Sequence, residues 1–489
     1  MKKPLGHIDE ARIRQIMEYW QVPGMALGVI RDGEPDEIQC FGWRDKEDGL
    51  EVNEDTLFCI ASCSKSMNAA MIVALADEGI LDLDAPVTTY APELQMWDPK
   101  TNANMSLRDM LCHRTGLAGY DIMWPEPLGR QNMAERMRYL KPNKPFREKS
   151  QYSNLIYALS SYVAERASGM SWPQLMQKYI FDPLEMTRTT CTAAGIAEDD
   201  NHAFGYQVLQ DGQLAKLPFW DMDMSSGAAT VNSTVKDMLK WVHFHLSGGK
   251  TPDGRQLISP DLFRQMHQPQ IAYDDTGRPD GDCYCCTGYG LGWRTGTYCG
   301  RPFQKHTGKI EGYSSIQAYM PDDRIGIVIL INLHTPANPI FYPLIYSFAD
   351  GIFGEDDHGW LARFCDESEA PALHLFTDCF HDLTEGQHKE ENRGKAFAGD
   401  VDDWCGAYHD PGYGRMVLER DCEGKLMLQF RDQCLEVHHW GENQFWMEGV
   451  KADTETFKVP VTLIKEDNRF LVSVWYEPLY EPVRFIKEM

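Results

Sequence analysis

Strand-length apolar runs stand at both ends of residues 1–355 of this 489-residue chain, and helix-like patterns fill the region between them. Residue composition and turn signals predict strands at 26–30, 38–42, 290–295, 314–320 and 325–333. Strands that lie far apart in the chain but alternate with tight turns pair most simply in one antiparallel sheet. We therefore predict an α/β fold with helices packed against such a sheet.

The middle of this region has helical spacing. One predicted helix follows Ser62 and ends near Gly79, and its apolar residues recur every four positions. A second helix has the same spacing from Leu155 and ends at Gly169, which is a typical C-cap residue. These patterns predict a helical subdomain over about residues 83–185.

The pattern changes twice towards the C-terminus. Residues 356–403 are charged and histidine-rich, and we interpret them as a linker that contains a helix. Beyond them, short β-like runs separated by turn signals are predicted at 416–418, 426–430, 435–438, 445–447, 461–464 and 471–476. The predicted domains are thus an α/β domain at 1–355, the linker, and an antiparallel β-barrel at 404–489.

Composition excludes several function classes. The formal net charge of −26 and the lack of a clustered basic surface argue against nucleic-acid binding. The longest apolar run, 325–331, is too short to span a bilayer, and the N-terminus has no signal-like apolar stretch. We therefore predict a cytoplasmic protein with reduced cysteines and no membrane partner. The only tight cysteine cluster, Cys283, Cys285 and Cys286, has no second ligand pair, so we predict no metal and no cofactor.

A hydroxyl and an amine occur one helical turn apart at Ser62 and Lys65. A buried lysine with a lowered pKa can deprotonate such a serine and make it a nucleophile. Ser233 and Lys236 have the same spacing, but they stand at the start of a predicted helix, where capping explains the serine. Spacing alone does not separate the two pairs.

The order of further motifs favours the first pair. Tyr152 and Asn154 form the only Tyr-x-Asn sequence in the chain, and His306, Thr307 and Gly308 follow much later. Each residue alone has an ordinary structural explanation, such as a core aromatic ring or a helix cap. The ordered set predicts a serine-lysine-tyrosine site, whereas His113 and His334 are interpreted as structural.

This ordered set resembles the family of class C β-lactamases, D-alanyl-D-alanine peptidases, D-aminopeptidases and related esterases. The resemblance covers about residues 8–351 and includes the segments 57–61, 79–86, 106–117 and 180–186. The C-terminal barrel more loosely resembles the lipocalin-like domains of peptidase-like relatives, at residues 404–408 and 412–414.

The resemblance implies roles for individual residues. Ser62 would attack an acyl carbon and form an acyl-enzyme, while Lys65 and Tyr152 would share the proton transfers. Asn154 would position substrate or Lys65, and the backbone N–H groups of Ser62 and Lys309 would form the oxyanion hole. The resemblance also implies that His306, Thr307 and Gly308 lie at the substrate.

His306 departs from the pattern of resistance enzymes, in which a lysine meets the substrate carboxylate. A histidine is only partly charged near neutral pH, so β-lactam carboxylates should bind less well. Substrate contact and a structural hydrogen bond are both open for His306, and Lys305 or Lys309 could supply a cation in its place.

We predict a serine hydrolase that acts on a small-molecule or short-peptide substrate, either an amide, including one with a D-residue, or an ester. A β-lactamase, an acyltransferase with the same acyl-enzyme, and a catalytically silent binding protein are the alternatives. Homo-oligomer formation is also left open by the sequence.

Overall fold

The computed structural model of the chain describes residues 5–117, 119, 129–209, 212–219, 221, 223–273, 283–334, 338–356, 358–364, 381–382, 388–431, 433–451, 455–475 and 482–488. The chain forms two units. The first comprises Met1–Pro92, Ala103–Gly119 and Lys144–Phe376, and the second comprises Glu93–Asn102, Tyr120–Asn143 and Thr377–Met489.

The first unit contains an eight-stranded antiparallel sheet with the spatial order β3-β2-β1-β12-β11-β10-β9-β8. Smaller sheets join β13, β5 and β6, and also β4 and β7. Leu27 in β1 pairs with Gln39 on one side and with Ile329 on the other, which confirms the predicted sheet built from both ends of the region. The strands are β1 Gly24–Ile30, β2 Glu37–Asp45, β3 Leu50–Glu51, β4 Phe58–Cys59, β5 Tyr206–Val208, β6 Leu214–Lys216, β7 Asn232–Ser233, β8 Tyr284–Tyr289, β9 Arg294–Tyr298, β10 Arg301–Ile310, β11 Tyr313–Met320, β12 Ile325–Ile331 and β13 Leu333–His334.

Helices of the first unit pack against this sheet, and a few further helices lie in the second unit. In chain order the α-helices are α1 Glu10–Tyr19, α2 Ser64–Asp77, α3 Pro99–Asn104, α4 Leu107–Leu111, α5 Gly129–Arg136, α6 Asn154–Ser168, α7 Trp172–Met176, α8 Ala193–Ala197, α9 Ser226–Ala229, α10 Val235–Leu246, α11 Pro260–Met266, α12 Asn338–Phe353 and α13 Trp360–Phe364. The predicted helix after Ser62 is α2, and the one that ends at Gly169 is α6. Gly169 has the left-handed φ of 72° expected of a C-cap glycine.

The central strands β1 and β12 are buried on both faces. On one face, alternate residues such as Leu27 join a core with residues of α1 and α12. On the other face Gly28 lets α10 approach, because a Cβ there would lie 2.8 Å from side-chain carbons of Val235 and Leu239. Helices on both faces explain why these strands are continuously apolar instead of alternating.

The second unit contains a closed antiparallel barrel of eight strands, β15 to β22. Neighbouring strands in the barrel are also neighbours in the chain, since β20 pairs with β21 as well as with β19. The pairing of β22 with β15 closes the barrel. A short strand, β14, adds to β20 in parallel. Apolar residues such as Tyr408, Leu428, Val461 and Phe485 fill the interior of the barrel. The strands are β14 His381–Asp382, β15 Gly406–Asp410, β16 Gly414–Arg420, β17 Leu426–Phe430, β18 Gln433–Gly441, β19 Gln444–Lys451, β20 Glu455–Glu466, β21 Arg469–Val474 and β22 Val483–Lys487.

Several predicted elements differ from the structure. The strand predicted at 290–295 overlaps β9 only at residues 294–295, because Gly290 and Gly292 form a turn that separates β8 from β9, with φ of 80° at Gly292. The barrel strands β15 and β22 were not predicted, since they are short and mostly polar or exposed. Much of the predicted linker, and residue 476 at the end of a predicted strand, lie outside the described residues. Among the helices that the structure describes, none has the length and apolar character needed to cross a membrane.

Candidate active site

Ser62 lies in a 3-10 turn, Ala61–Cys63, directly before α2. Ala61 has a φ of 47°, in the left-handed region that costs a residue with a Cβ atom. Ser62 itself is half-buried, while Ala61 and Cys63 on either side of it are buried. The strained turn therefore presents the hydroxyl of Ser62 at the edge of an otherwise buried helix start.

Two buried polar side chains of β11 hold this turn against the sheet. The Oγ of Ser315 donates to the carbonyl of Ile60 at 2.7 Å, and the Nε2 of Gln317 donates to Ser66 Oγ at 2.6 Å. Gln317 Nε2 also lies 3.3 Å from the Cys63 carbonyl. These bonds explain how this fully buried strand accommodates Ser315 and Gln317, since buried polar groups need partners.

The neighbouring strand β10 passes directly beside Ser62. A Cβ atom on Gly308 would lie 2.1 Å from the carbonyl oxygen of Ile60 and 3.0 Å from the nitrogen of Ser62. Only glycine allows the backbone of β10 to approach the turn this closely. Thr307 is half-buried and Lys309 is exposed at this end of the strand.

The side chain of Lys65 is fully buried and reaches Ser62. Its Nζ lies 2.9 Å from Ser62 Oγ, 2.7 Å from Asn154 Oδ1 and 2.9 Å from the carbonyl oxygen of Ala228. The structure therefore brings Ser62, Lys65 and Asn154 together. Sequence reasoning missed Ala228, because a backbone carbonyl leaves no signature in the residue type.

The ring of Tyr152 also lies close to Lys65. The Nζ of Lys65 is 4.9 Å from the centroid of the Tyr152 ring, a distance at which the ring face attracts a cation. The Tyr152 ring packs against the ring of His113, with 4.3 Å between centroids. The N–H of Gln151 donates to the His113 carbonyl and that of Ser153 donates to His113 Nδ1, so His113 holds the segment on both sides of Tyr152.

His113 is fully buried and adopts a left-handed φ of 58°. Burial, with smaller contributions from the charges of Lys65, His306 and Arg294, holds the pKa of His113 well below its usual range. The neutral ring accepts a hydrogen bond at Nδ1, so its proton is on Nε2, which is buried without a hydrogen-bond partner among the described residues. His113 thus positions the tyrosine segment as a neutral group.

His306 is also buried, and both of its ring nitrogens are engaged. Its Nε2 lies 2.8 Å from the hydroxyl of Tyr289, and its Nδ1 lies 2.7 Å from the carbonyl of Thr307. Burial, together with the positive charges of Arg294 and Lys65, holds the pKa of His306 well below its usual range. Of the two roles left open by the sequence, this arrangement favours the structural hydrogen bond.

The lysines that flank His306 differ in position. His306 and Gly308 face the turn of Ser62, so strand alternation directs Lys305 to the opposite face of the sheet. There the Nζ of Lys305 lies 3.5 Å from the ring centroid of Tyr284 and 4.4 Å from that of Tyr342, within the core. The expectation that Lys305 could supply a cation to the substrate was therefore wrong, and of the two flanking lysines only Lys309 is exposed.

The second serine-lysine pair has a structural role. Ser233 lies in the short strand β7, and its Oγ is 2.8 Å from Thr189 Oγ1. The side chain of Lys236 instead forms an ion pair with Glu54 at 2.7 Å. The predicted helix start is confirmed, but its N-cap is Thr234, not Ser233, because the Thr234 side chain accepts from the backbone of the first turn.

Among the residues that the structure describes, no group of three or more histidine, cysteine, aspartate or glutamate side chains could hold a metal ion. Of the cysteine cluster, Cys285 is exposed, and Cys283 and Cys286 are half-buried.

The first unit has the fold of β-lactamases and transpeptidases. A family model described as beta-lactamase matches residues 10–342, and the chain belongs to this family of serine hydrolases.

Two relatives by sequence are a hydrolase and a penicillin-binding protein. The chain is 27% identical to the unguisins hydrolase ungD of Aspergillus violaceofuscus, over 74% of this chain and 68% of that protein. It is 26% identical to penicillin-binding protein 4 of Amycolatopsis lactamdurans, over 64% of this chain and 81% of that protein.

Solved structures share the fold. The octameric penicillin-binding protein homologue from Pyrococcus abyssi superposes with a TM-score of 0.59 and 21% identity, over 98% of this chain and 99% of that chain. The D-amino acid amidase from Ochrobactrum anthropi SV3 does so with a TM-score of 0.54 and 22% identity, over 66% of this chain and 91% of that chain.

Proposed function

We propose that the chain is a hydrolase that uses Ser62 as its nucleophile and passes through an acyl-enzyme on a small amide, a short peptide or an ester. The observation that carries the proposal is the 2.9 Å contact between the buried Nζ of Lys65 and the Oγ of Ser62. A buried amine beside a half-exposed hydroxyl is the arrangement that activates a serine without histidine.

The hydrogen bonds of Lys65 suit the task of a general base. Asn154 Oδ1 and the Ala228 carbonyl can only accept, so they take two N–H groups of the amine. A neutral amine then directs its lone pair at Ser62 and can receive the hydroxyl proton as Oγ attacks the acyl carbon. The resulting ammonium donates three hydrogen bonds to the same three atoms, so the transfer needs no rearrangement.

Tyr152 is proposed to take part in the proton transfer that follows the attack of Ser62. Its ring lies against Lys65, and a phenol there can carry a proton from the lysine to the leaving group. The N–H groups of Ser62 and Lys309 are proposed as the oxyanion hole, supported by the close approach of β10 to the Ser62 nitrogen. Thr307 and Gly308 would then lie along the bound substrate.

The name of one relative favours an amide substrate. A relative by structure is named a D-amino acid amidase, and a relative by sequence is named a hydrolase. We therefore place an amide ahead of an ester, and we keep a substrate with a D-residue within the proposal. An acyltransferase would differ only in the acceptor that attacks the acyl-enzyme.

Active-site labelling tests the proposal. A fluorophosphonate should form a stoichiometric adduct, and peptide mapping should locate the added mass on Ser62. The same mass spectrometry after mixing with a p-nitrophenyl ester or an anilide should detect a transient acyl group on this serine. Failure of every such reagent to modify Ser62 would leave a silent binding protein as the better interpretation.

The neutral state of His306 leads to a prediction about β-lactams. Because its pKa is held well below the usual range, His306 should not become a cation as the pH falls from 8 to 5.5. The ratio of kcat/KM for nitrocefin to that for a short-chain nitrophenyl ester should therefore be low, below about 0.01, and constant over this range, since a charge-assisted bond to the carboxylate is missing. A ratio that increases as the pH falls below 6.5 would mean that His306 becomes protonated and contacts the carboxylate.

We further propose domain limits at 355 and 403, a lipocalin-like nature of the barrel, and a cytoplasmic location. A homo-oligomer is supported only by the octameric relative from Pyrococcus abyssi.

A further inference from the structure

A shallow cleft that is partly open to solvent, with about 30 Å³ of space for a water-sized group, lies near the site of Ser62. Three of its lining residues connect it to that site. Cys59 precedes Ser62 by three residues, Ala229 follows the carbonyl that binds Lys65, and Ile310 lies two residues beyond Gly308 on β10. A group in this cleft would therefore extend from an acyl carbon held at Ser62.

The walls of the cleft are mostly apolar. Leu217 and Pro218 line one part, and Phe219 is a large aromatic residue with 42% of its surface exposed. Tyr313 contributes a second aromatic ring, whose hydroxyl is tied to the Ala203 carbonyl. These walls suit an aliphatic chain, and the faces of their aromatic rings attract a cation.

The charged residues of the cleft are two carboxylates, Glu311 and Asp223, and no lysine, arginine or histidine occurs among its described lining residues. Glu311 is half-buried in the turn between β10 and β11, and its carboxylate bonds no residue that the structure describes. Asp223 accepts a hydrogen bond from the N–H of Ala193 at 2.7 Å. Apolar walls with carboxylates and no cation favour a positively charged amine.

We infer that this cleft binds an ammonium group on the acyl part of the substrate, with Glu311 as the main partner and Asp223 as the second. The inference rests on the proposed function, because the cleft selects substrates only if Ser62 is acylated. Glu311 lies three residues beyond Gly308, at most about 10 Å along an extended strand. Either the α-ammonium of an amino acid amide or an ammonium at the end of a short aliphatic chain could therefore reach the carboxylates.

Two pairs of p-nitroanilides distinguish an α-ammonium from an ammonium at the end of a chain. Alanyl anilide, in its D and L forms, is paired with isobutyryl anilide, and 6-aminohexanoyl anilide is paired with heptanoyl anilide. Each pair differs by a methyl group in place of the ammonium. In the wild type, kcat/KM should be about 10-fold higher for the charged member of at least one pair, mainly through KM, as expected of a bond to a charged group. The pair that shows the preference identifies the position of the ammonium.

Variants of the carboxylates test the assignment. Glu311→Gln should remove most of the preference for the charged substrate. Asp223→Asn should reduce this preference, while the new amide oxygen keeps the hydrogen bond to Ala193. Neither variant should change the turnover of the uncharged substrates. Glu51→Gln, on the exposed strand β3, is the matched control and should keep the wild-type preference. The preference should also vanish above about pH 8 for an α-ammonium but persist to about pH 10 for a chain-end ammonium.

The outcomes separate this inference from the proposed function. If both members of each pair acylate Ser62 equally well, or if the preference survives in the Glu311→Gln, Asp223→Asn double variant, the ammonium site is wrong and the hydrolase stands. If no anilide and no ester acylates Ser62, both proposals fall together.

Discussion

Ser62→Ala should reduce hydrolysis of any ester or anilide substrate to below about 1% of the wild-type rate. The substitution removes the proposed nucleophile, and only binding and the oxyanion donors then remain to assist water. Stability should change little, because Ser62 is half-buried and its turn is held by Ser315 and Gln317. The measurements are steady-state kinetics with a chromogenic ester and thermal unfolding of both proteins.

Ser233→Ala is the matched control, since Ser233 shares the serine-lysine spacing. It should keep full activity, because Lys236 is paired with Glu54 instead of with the serine. It should cost about 1 kcal/mol of unfolding free energy, as the buried bond to Thr189 is lost. Wild-type turnover by Ser62→Ala, or inactivity of Ser233→Ala in a folded protein, would contradict the choice of nucleophile.

The architecture was largely predictable because its signals are local and repeated. Continuous apolar strands such as β12 and the four-residue spacing of α2 follow from burial on both faces of the sheet. The barrel strands were found where turns separate alternating residues, as at β17. Strands such as β15 and β22 were missed because half-exposed, short strands resemble loops in composition.

The candidate site was predictable only in part. The order of motifs identified Ser62, Lys65 and Asn154, which the structure brings into contact. The partners of the site residues could not be found in this way. Ala228 contributes only a backbone carbonyl to Lys65, and Tyr289, the partner of His306, is one of 21 tyrosines in the chain. Such contacts depend on long-range folding and leave no local pattern.

His306 illustrates a second limit of sequence reasoning. The sequence left both substrate contact and a structural hydrogen bond open for it, because the partners of a side chain depend on its neighbours in space. Tyr289 and the Thr307 carbonyl engage both nitrogens of the ring. In the same way Lys305 was expected near the site, but strand alternation and the rings of Tyr284 and Tyr342 hold it on the other face of the sheet.

Lys65→Met should lower the rate of Ser62 acylation at least about 100-fold, the effect expected when a general base is removed. Methionine has a similar length and can occupy the same buried space, but it has no lone pair able to take the hydroxyl proton. The acceptors Asn154 Oδ1 and the Ala228 carbonyl lose their donor, which costs stability. Removing a buried ionisable group offsets part of this cost, so the protein should remain folded.

The rate of fluorophosphonate labelling and the burst of nitrophenol from a nitrophenyl ester measure the acylation step directly. Lys236→Met is the matched control, because Lys236 has the same spacing to a serine but lies with 40% of its side chain exposed beside Glu54. It should label at the wild-type rate. A Lys65→Met protein that melts like the wild type yet labels slowly would separate loss of chemistry from loss of folding. Labelling of Lys65→Met at the wild-type rate would remove the lysine from the mechanism. The role of base would then pass to Tyr152, whose ring lies 4.9 Å from the Nζ of Lys65 in the wild type.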